Sequence, residues 1–227
     1  MRLTACYVVC NEEALIAESL RSVKAYVDRY VIVDAVFENN PHEGTHSSDR
    51  TREVCERVCA PVPLTYVESD RRLDEASARN RYLAEVPDGD WCLVIDGDEV
   101  MYGRHQNILA MIERVRAGVW PLAVEIPVYT QSVLAHGMAP DVDAETYATS
   151  PIICSAGRMA RFFRQRPGLH YKRNELGIAH GLYDADERFA GRSETRCPEP
   201  FIVNHHVRQS HADYLNDYAW ETADRRP

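Results

Sequence analysis

Residues 91–99 read WCLVIDGDE, five apolar residues followed by Asp-Gly-Asp-Glu. A continuous apolar run of this length is typical of a strand that is buried on both faces, as in the middle of a parallel sheet. At the extended end of such a strand Asp96 and Asp98 point to the same side, and Gly97 adds no side chain between them. Two carboxylates placed in this way favour a site for a hard divalent cation, Mn²⁺ or Mg²⁺, over a polar loop that merely contains acids.

The ninety residues before this stretch alternate between strand and helix patterns. A helix follows each of the first three strands. The first begins after an N-cap at Asn11, the second after an N-cap at Ser48 or Asp49, and the third is predicted over Asp74–Val86. The predicted strands are Leu3–Val9, Tyr30–Val33 and Leu64–Val67. This order predicts an α/β fold with a mostly parallel sheet, right-handed crossovers and flanking helices.

Polar and acidic residues follow each predicted strand. They are Cys10-Asn11-Glu12, Asp34, Glu68-Ser69-Asp70 and Asp96–Glu99. Ligands of open α/β sheets bind in the crevice at the carboxyl ends of the strands, so the sequence predicts its site there.

The second half has a weaker pattern. A helix at Arg104–Ala117 and a strand at Leu122–Tyr129 are followed by Gln131–Ser155, which has no clear period and is a candidate for a flexible loop beside the site. Two further strands and a closing C-terminal helix are predicted at Met159–Gln165, Phe201–His206 and Ser210–Thr222. No linker or repeat divides the chain, so we predict a single domain over residues 1–227.

Composition excludes several classes of protein. The 227 residues carry 26 basic and 35 acidic side chains, a net charge of −9, which disfavours a non-specific nucleic-acid binder. The apolar runs, Trp91–Ile95 among them, are far shorter than a membrane helix, so no integral membrane segment is expected. Seven cysteines without a Cys-x-x-Cys pair predict free thiols in a reducing compartment, and with a first segment that is typical of a strand they favour a cytoplasmic protein.

Five segments, taken in order, resemble the signature of GT-A glycosyltransferases of family two. They are Cys10–Glu13, Val31–Asp34, Ser47–Thr51, Ala78–Asn80 and Trp91–Glu99. The resemblance implies a GT-A (Rossmann-like) fold with residues 1–100 as the nucleotide-sugar-binding half and 101–227 as the acceptor-side half, including a smaller mixed β region. In one respect the chain departs from the family pattern, because Ala35–His46 separates the strand-end acid from the Ser-x-Asp-x-Thr turn.

The resemblance also implies roles for individual residues. Asp34 would accept hydrogen bonds from a uracil or guanine base of a UDP- or GDP-linked sugar, and Arg79 would meet the diphosphate or the base unless it faces solvent. Asn80 would brace the pocket, and Asp96 and Asp98 would hold Mn²⁺ or Mg²⁺. The remaining nucleotide-sugar contacts would come from Cys10, Asn11, Glu12 and Gly97.

Two further roles fall in the second half. Glu175 stands where the family places an acidic residue and is a candidate general base, with a salt bridge to Arg173 or Arg161 as the alternative. His205 and His206 end a predicted strand where the family often has a metal-binding histidine. Successive strand residues face opposite ways, so only one of the two should face the metal, and an imidazole in the shell would favour Mn²⁺.

A basic stretch precedes that region. Its members are Arg158, Arg161, Arg164, Arg166, Lys172 and Arg173. Together with His170 it could receive an anionic acceptor or the donor's diphosphate. The alternative is a solvated face that pairs with the acidic segment Asp184–Glu187.

The favoured hypothesis is a metal-dependent, inverting glycosyltransferase that uses a nucleoside-diphosphate sugar. Its acceptor hydroxyl could belong to a saccharide, a lipid-linked saccharide or a modified nucleic acid, and nucleic acid enters only in that role. One alternative is a haloacid-dehalogenase-type phosphatase with Asp96 as nucleophile, since Asp96–Val100 also fits that family's opening motif. The other is a non-catalytic nucleotide-sugar-binding protein.

Overall fold

A computed structural model describes residues 1–38, 40–118, 123–130, 154–172, 181–188, 190 and 201–204. Within these residues the chain forms four helices and ten strands. The helices are α1 (Ile16–Lys24), α2 (Thr51–Cys59), α3 (Glu75–Glu85) and α4 (His105–Arg116). The strands are β1 (Leu3–Val9), β2 (Arg29–Asp34), β3 (Leu64–Glu68), β4 (Trp91–Val94), β5 (Glu99–Tyr102), β6 (Ala123–Thr130), β7 (Cys154–Arg164), β8 (His170–Lys172), β9 (Gly181–Tyr183) and β10 (Phe201–Asn204).

Eight of the described strands form one mixed sheet in the order β3-β2-β1-β4-β7-β6-β10-β5. The first four are parallel, as predicted, and their registers align Val9 with Asp34 and Asp34 with Glu68. Strand β7 then runs antiparallel to β4, so the mixed region continues the same sheet. The parallel registers bring the carboxyl ends of β1, β2 and β3 to one edge, with the end of β4 beside them.

The two faces of the parallel strands pack against different elements. On one face Ala5 and Tyr7 belong to a core cluster with α1, α2 and α4. On the other face Cys6 and Val8 pack with α3 and with the β8–β9 hairpin. Successive strand residues point to opposite faces of the sheet. Strand β1 is apolar at every position except Thr4 because packed helices or the hairpin cover both of its faces.

The first helix begins later than predicted. Asn11 was expected to cap it, but the helix starts at Ile16 and Asn11 has a left-handed backbone with φ 54°. The Asn11 side chain accepts a hydrogen bond from the backbone N–H of Ser48 at 2.8 Å. Its oxygen is therefore committed to a partner 37 residues away, which local pattern does not reveal.

Other boundaries agree within a few residues, and two features were not predicted. The third helix, predicted over Asp74–Val86, spans Glu75–Glu85, and Asp74 caps it by accepting a 3.0 Å bond from the Ser77 N–H. Strand β5 and the β8–β9 hairpin were missed because each strand has only three or four residues and depends on a partner distant in sequence. Most of the predicted loop Gln131–Ser155 and the closing helix Ser210–Thr222 lie outside the described residues. Cys154 and Ser155 belong to β7, which begins five residues before the predicted Met159.

Candidate functional site

The Asp96-Gly97-Asp98 turn lies at the carboxyl end of β4. One oxygen of Asp96 accepts a hydrogen bond from an Arg79 Nη atom at 3.0 Å, and the other lies 3.6 Å from an Arg161 Nη atom. Both arginines are buried, whereas the side chain of Asp96 is 31% exposed. The first carboxylate of the turn thus sits at the surface above two buried guanidinium groups.

Arg79 reaches this position from α3. It is 4% exposed, so the alternative that it faces solvent is wrong. Glu75, one turn earlier on the helix, also accepts from the guanidinium at 2.9 Å. Burial opposes the charge of Arg79, but the Asp96 and Glu75 carboxylates outweigh it and raise the pKa of Arg79 well above its usual value. The arginine therefore carries a permanent positive charge beneath the turn.

Glu99 is a site residue that the sequence analysis did not single out. It is 2% exposed, accepts from Arg161 Nη2 at 2.6 Å, and accepts from the backbone N–H of Asp96 at 2.9 Å. Burial raises the pKa of Glu99 to about 7, against the opposing effect of Arg161. Glu99 therefore links the buried arginine to the backbone of the turn.

The position of Arg161 corrects the prediction that it receives an acceptor or a diphosphate. Only 6% of the residue is exposed, and its guanidinium is turned inward to Glu99, Asp96 and the Val94 carbonyl. Strand β7 pairs with β4, and this pairing delivers Arg161 to the underside of the turn. The positive charge of Arg161 is therefore paired with Glu99 and Asp96 inside the protein.

Gly97 brings the turn against the loop that follows β1. A Cβ atom at Gly97 would lie 3.1 Å from Cγ and 3.2 Å from Cδ of Glu12. Glu12 is itself fixed, because its backbone N–H donates to the Thr51 hydroxyl at 2.7 Å. Gly97 and Glu12 therefore lie close together, and their contact with a nucleotide sugar stays a prediction.

Asp34 lies at the end of β2 and is 1% exposed. One of its oxygens accepts from the backbone N–H and the hydroxyl of Ser47, each at 2.8 Å, and the other accepts from the Tyr66 hydroxyl at 2.8 Å. A carboxylate offers about four lone-pair positions, so about one remains for a ligand. Contact with a base stays a prediction for Asp34, and its observed role is to anchor Ser47.

The segment after β1 and the segment before α2 are joined side by side. The Asn11 N–H donates to the Ser47 hydroxyl at 2.8 Å, and the Glu13 N–H donates to Asp49 at 3.1 Å. Asp49 therefore ties the two loops together, and the helix cap predicted at Ser48 or Asp49 falls instead at Arg50.

Cys10 begins the first of these loops and is half-buried. Burial, with the nearby charges of Asp34 and Glu12, raises the pKa of its thiol to about 11. At neutral pH the thiol is uncharged, so Cys10 can line a binding surface but is a poor nucleophile.

Asn80 braces the floor of this region. Its side-chain amide donates to the Tyr171 carbonyl at 2.8 Å and accepts from the Tyr171 N–H at 2.7 Å. This pair of bonds fastens α3 to β8 in the way that a strand neighbour would, which is consistent with the bracing role inferred from the sequence.

The described members of the basic stretch pair locally. Arg166 lies 3.8 Å from Asp184, and His170 lies 3.4 Å from Glu187. Lys172 also contacts Glu187. The alternative of a face paired with Asp184–Glu187 is therefore the better account of these three residues. Arg164 is exposed and donates to the Gly89 carbonyl at 3.3 Å.

Four residues named in the sequence analysis lie outside the described part of the chain, namely Arg173, Glu175, His205 and His206, and the side chain of Arg158 is not described either. Within the described part, no group of three or more His, Cys, Asp or Glu side chains is placed to hold a metal ion. The carboxylates of Asp96 and Asp98 fit a divalent cation by their chemistry, since hard oxygen ligands suit Mn²⁺ and Mg²⁺. Asp96 already shares its charge with the guanidinium groups of Arg79 and Arg161.

Fold and site together define a GT-A protein, with parallel strands ending at an acidic edge and an Asp-x-Asp turn in the crevice. Residues 4–128 match the family model described as glycosyl transferase family 2, which is more than half of the chain, and the chain belongs to that family. The predicted family and fold class are thereby confirmed. The phosphatase alternative is not favoured, because three strands and three helices precede β4, the strand that leads into Asp96, whereas the phosphatase motif opens its fold.

A curated relative and two solved structures illustrate the likeness. The chain is 27% identical over 173 residues to a TPR repeat-containing protein of Synechococcus elongatus, covering 76% of the chain and 34% of the relative. It therefore spans about a third of that relative. TarS 1-349 of S. aureus, solved in complex with UDP-GlcNAc, aligns with a TM-score of 0.57 at 13% identity, over 99% of this chain and 66% of that one.

The mannosyltransferase PcManGT of Pyrobaculum calidifontis, in complex with GDP-Man and Mn²⁺, aligns with a TM-score of 0.55 at 19% identity, over 99% of this chain and 64% of that one. At these identities the structures show a shared fold. In the described part of the chain, no helix is long and apolar enough to cross a membrane.

Proposed function

We propose that residues 1–227 form a single catalytic domain of a metal-dependent glycosyltransferase, which moves a sugar with inversion from a nucleoside-diphosphate sugar to an acceptor hydroxyl. The observation that carries the proposal is the Asp96-Gly97-Asp98 turn, set on a buried Arg79–Arg161–Glu99 network at the carboxyl edge of the sheet. Support comes from the family and from GT-A structures that bind UDP-GlcNAc, or GDP-Man with Mn²⁺.

The residues of the site have separate tasks in this proposal. The edge formed by Cys10, Asn11 and Glu12 holds the nucleoside part of a UDP- or GDP-linked donor, and Asp34 accepts from the base. Asp96 and Asp98 hold Mn²⁺ or Mg²⁺. A bound divalent cation neutralises charge on the departing diphosphate.

The acceptor would be placed by the second half of the chain. A saccharide, a lipid-linked saccharide or a modified nucleic acid would each present a hydroxyl. Of the basic residues that could meet an anionic acceptor, Arg164 is exposed, while His170 and Lys172 are engaged with Glu187. His205 or His206 is proposed to complete the metal shell.

We place the protein in the cytoplasm. Cys6, Cys10, Cys55, Cys59 and Cys92 are free thiols, as expected in a reducing compartment.

A thermal-shift panel tests the function directly. UDP, GDP, CDP and TDP are each added with and without Mn²⁺. A ligand at about 100 times its dissociation constant adds about 2.7 kcal/mol, which raises the melting temperature by about 5–10 °C in a protein of this size. We expect one nucleoside diphosphate to give this shift only when Mn²⁺ is present. A panel without any shift would contradict the proposal, and a shift independent of Mn²⁺ would contradict its metal dependence.

Glu175 is the proposed general base, and Glu175→Gln tests it. We expect the transfer rate to fall by about 10²–10⁴-fold, since the glutamine cannot take the acceptor proton, while nucleotide affinity stays within about twofold. Glu187→Gln is the control, because it removes a carboxylate that is engaged with Lys172. A wild-type transfer rate in Glu175→Gln would exclude it as the base. A wild-type chain that binds donor without any transfer would support the non-catalytic alternative.

A further inference from the structure

The loop that follows β2 is the part of the chain that departs from the family pattern. Residues 35–46 leave the sheet directly after Asp34 and return at Ser47, which bonds to the same Asp34. A 2.9 Å bond from the Val36 N–H to the Thr45 carbonyl closes the loop at its base. The loop therefore begins and ends at the carboxylate that is proposed to meet the base.

The near side of the loop rests on the segment before α3. The Leu73 N–H donates to the Val36 carbonyl at 3.2 Å, and the Glu38 N–H donates to the Leu73 carbonyl at 3.0 Å. Phe37 and Leu73 form an isolated parallel bridge. These contacts hold Val36, Phe37 and Glu38 against Leu73. The far end of the loop is held by a different residue.

Arg72 holds the far end of the loop. Its guanidinium donates to the carbonyl of Asn40 at 3.0 Å, of Gly44 at 3.3 Å and of Glu38 at 3.4 Å, and also to the carbonyl of His42. The five N–H groups of an arginine lie in one plane and point outward, so one side chain can collect acceptors from all around a turn. A lysine presents its three donors from a single point and cannot span the same set.

Arg72 also lies close to the nucleotide side of the site. Its charge lowers the pKa of the Cys10 thiol, against the larger effects of burial and of Asp34. Because Ser47 directly follows the loop, the position of the loop determines whether the Ser47 hydroxyl stays on Asp34 and on the Asn11 N–H.

We propose that Arg72 is a positioning residue for nucleotide binding, which holds residues 35–46 as a wall beside Asp34 and thereby keeps Ser47 on the Asp34 carboxylate. The inference rests on the proposed function, because it assigns the wall to the nucleotide of the donor. Arg72 itself binds backbone carbonyls and acts through Ser47.

The test compares Arg72→Ala and Arg72→Lys with Arg71→Ala in the full chain. Arg71 is the adjacent arginine and is exposed, so its removal matches the loss of charge without the loss of the carbonyl contacts. Three quantities are measured, namely amide hydrogen exchange in peptides covering 36–46, the Kd for UDP and for GDP with Mn²⁺, and the Kd for Mn²⁺ alone.

Arg72→Ala is expected to speed exchange at Val36, Glu38 and His42 and to weaken binding of the preferred nucleotide by about tenfold, with Mn²⁺ affinity unchanged. Arg72→Lys is expected to behave like Arg72→Ala, since charge alone does not hold the loop. A purely structural arginine would change exchange and leave the nucleotide Kd equal to that of Arg71→Ala.

The outcomes separate the inference from the proposed function. If wild-type protein binds UDP or GDP and Arg72→Ala binds it as well as Arg71→Ala does, the inference is overturned and the proposed function stands. Full rescue by Arg72→Lys would also overturn it, because charge would then be sufficient. A wild-type chain that binds neither nucleotide would overturn the proposed function and the inference with it.

Discussion

Asp98→Ala is expected to weaken Mn²⁺-dependent binding of the preferred nucleoside diphosphate by about 100-fold or more, with the fold intact. Asp98 is half-exposed at the end of the turn, so its loss leaves the core unchanged. The metal would lose one of the two carboxylates that are proposed to hold it. Isothermal titration with and without Mn²⁺ measures the effect, and the melting temperature of the apo protein checks the fold.

Two further variants sharpen this result. Asp88→Ala removes an exposed carboxylate just before β4, at the other end of the same strand, and should bind nucleotide like wild type. Asp96→Ala should differ from Asp98→Ala in stability, because it takes a partner from Arg79 and Arg161. We expect a loss of about 1–2 kcal/mol, a moderate value since Asp96 is partly exposed. Unchanged Mn²⁺-dependent binding in Asp98→Ala would remove the metal assignment.

Most of the first hundred residues could be predicted because their signals are local. Apolar runs such as Trp91–Ile95 and the spacing of Ile16, Leu20 and Val23 reflect neighbours within one element. The order of the elements then placed the strand ends, and with them Asp34 and Asp96, at one edge of the sheet. Strand β5 was missed because four residues define it only through pairing with β10, about a hundred residues later.

The contacts inside the site could not be predicted, because they join residues distant in sequence. Glu99 looks like one more acid in a polar turn until β7 brings Arg161 beneath it, 62 residues later. Arg161 lies in a run of basic residues that is typical of a protein surface, and its partners Asp96 and Glu99 are too distant in sequence to indicate otherwise. Asn11 was misread as a helix cap since its partner, Ser48, lies across a loop. In the sequence, the available signals were an acid directly after the turn and a basic residue within an apolar strand, and neither identifies its partner.

Arg161→Met is expected to destabilise the protein by about 3–5 kcal/mol, the usual cost of removing one partner from a buried ion pair. Its partner Glu99 is 2% exposed and would lose the cation at 2.6 Å, so it would become an unpaired buried carboxyl group that has to take up a proton. Chemical denaturation measures this loss in the free energy of unfolding, provided that the variant and the wild type show the same m-value. An Arg161→Met protein as stable as wild type would show that the pair is not a buried ion pair in solution.

The double variant Arg161→Met/Glu99→Met separates stability from function. Replacing both members of a buried pair by apolar residues of similar size is often neutral, so we expect stability within about 1 kcal/mol of wild type. The Asp96 N–H would still lack the acceptor that Glu99 provides at 2.9 Å, and the turn would lose its support from below. Mn²⁺-dependent nucleotide binding should therefore remain about tenfold weaker than in wild type, although the fold has recovered. Wild-type binding in the double variant would mean that the pair serves only the core, whereas weak binding in a stable protein would show that it orients the turn.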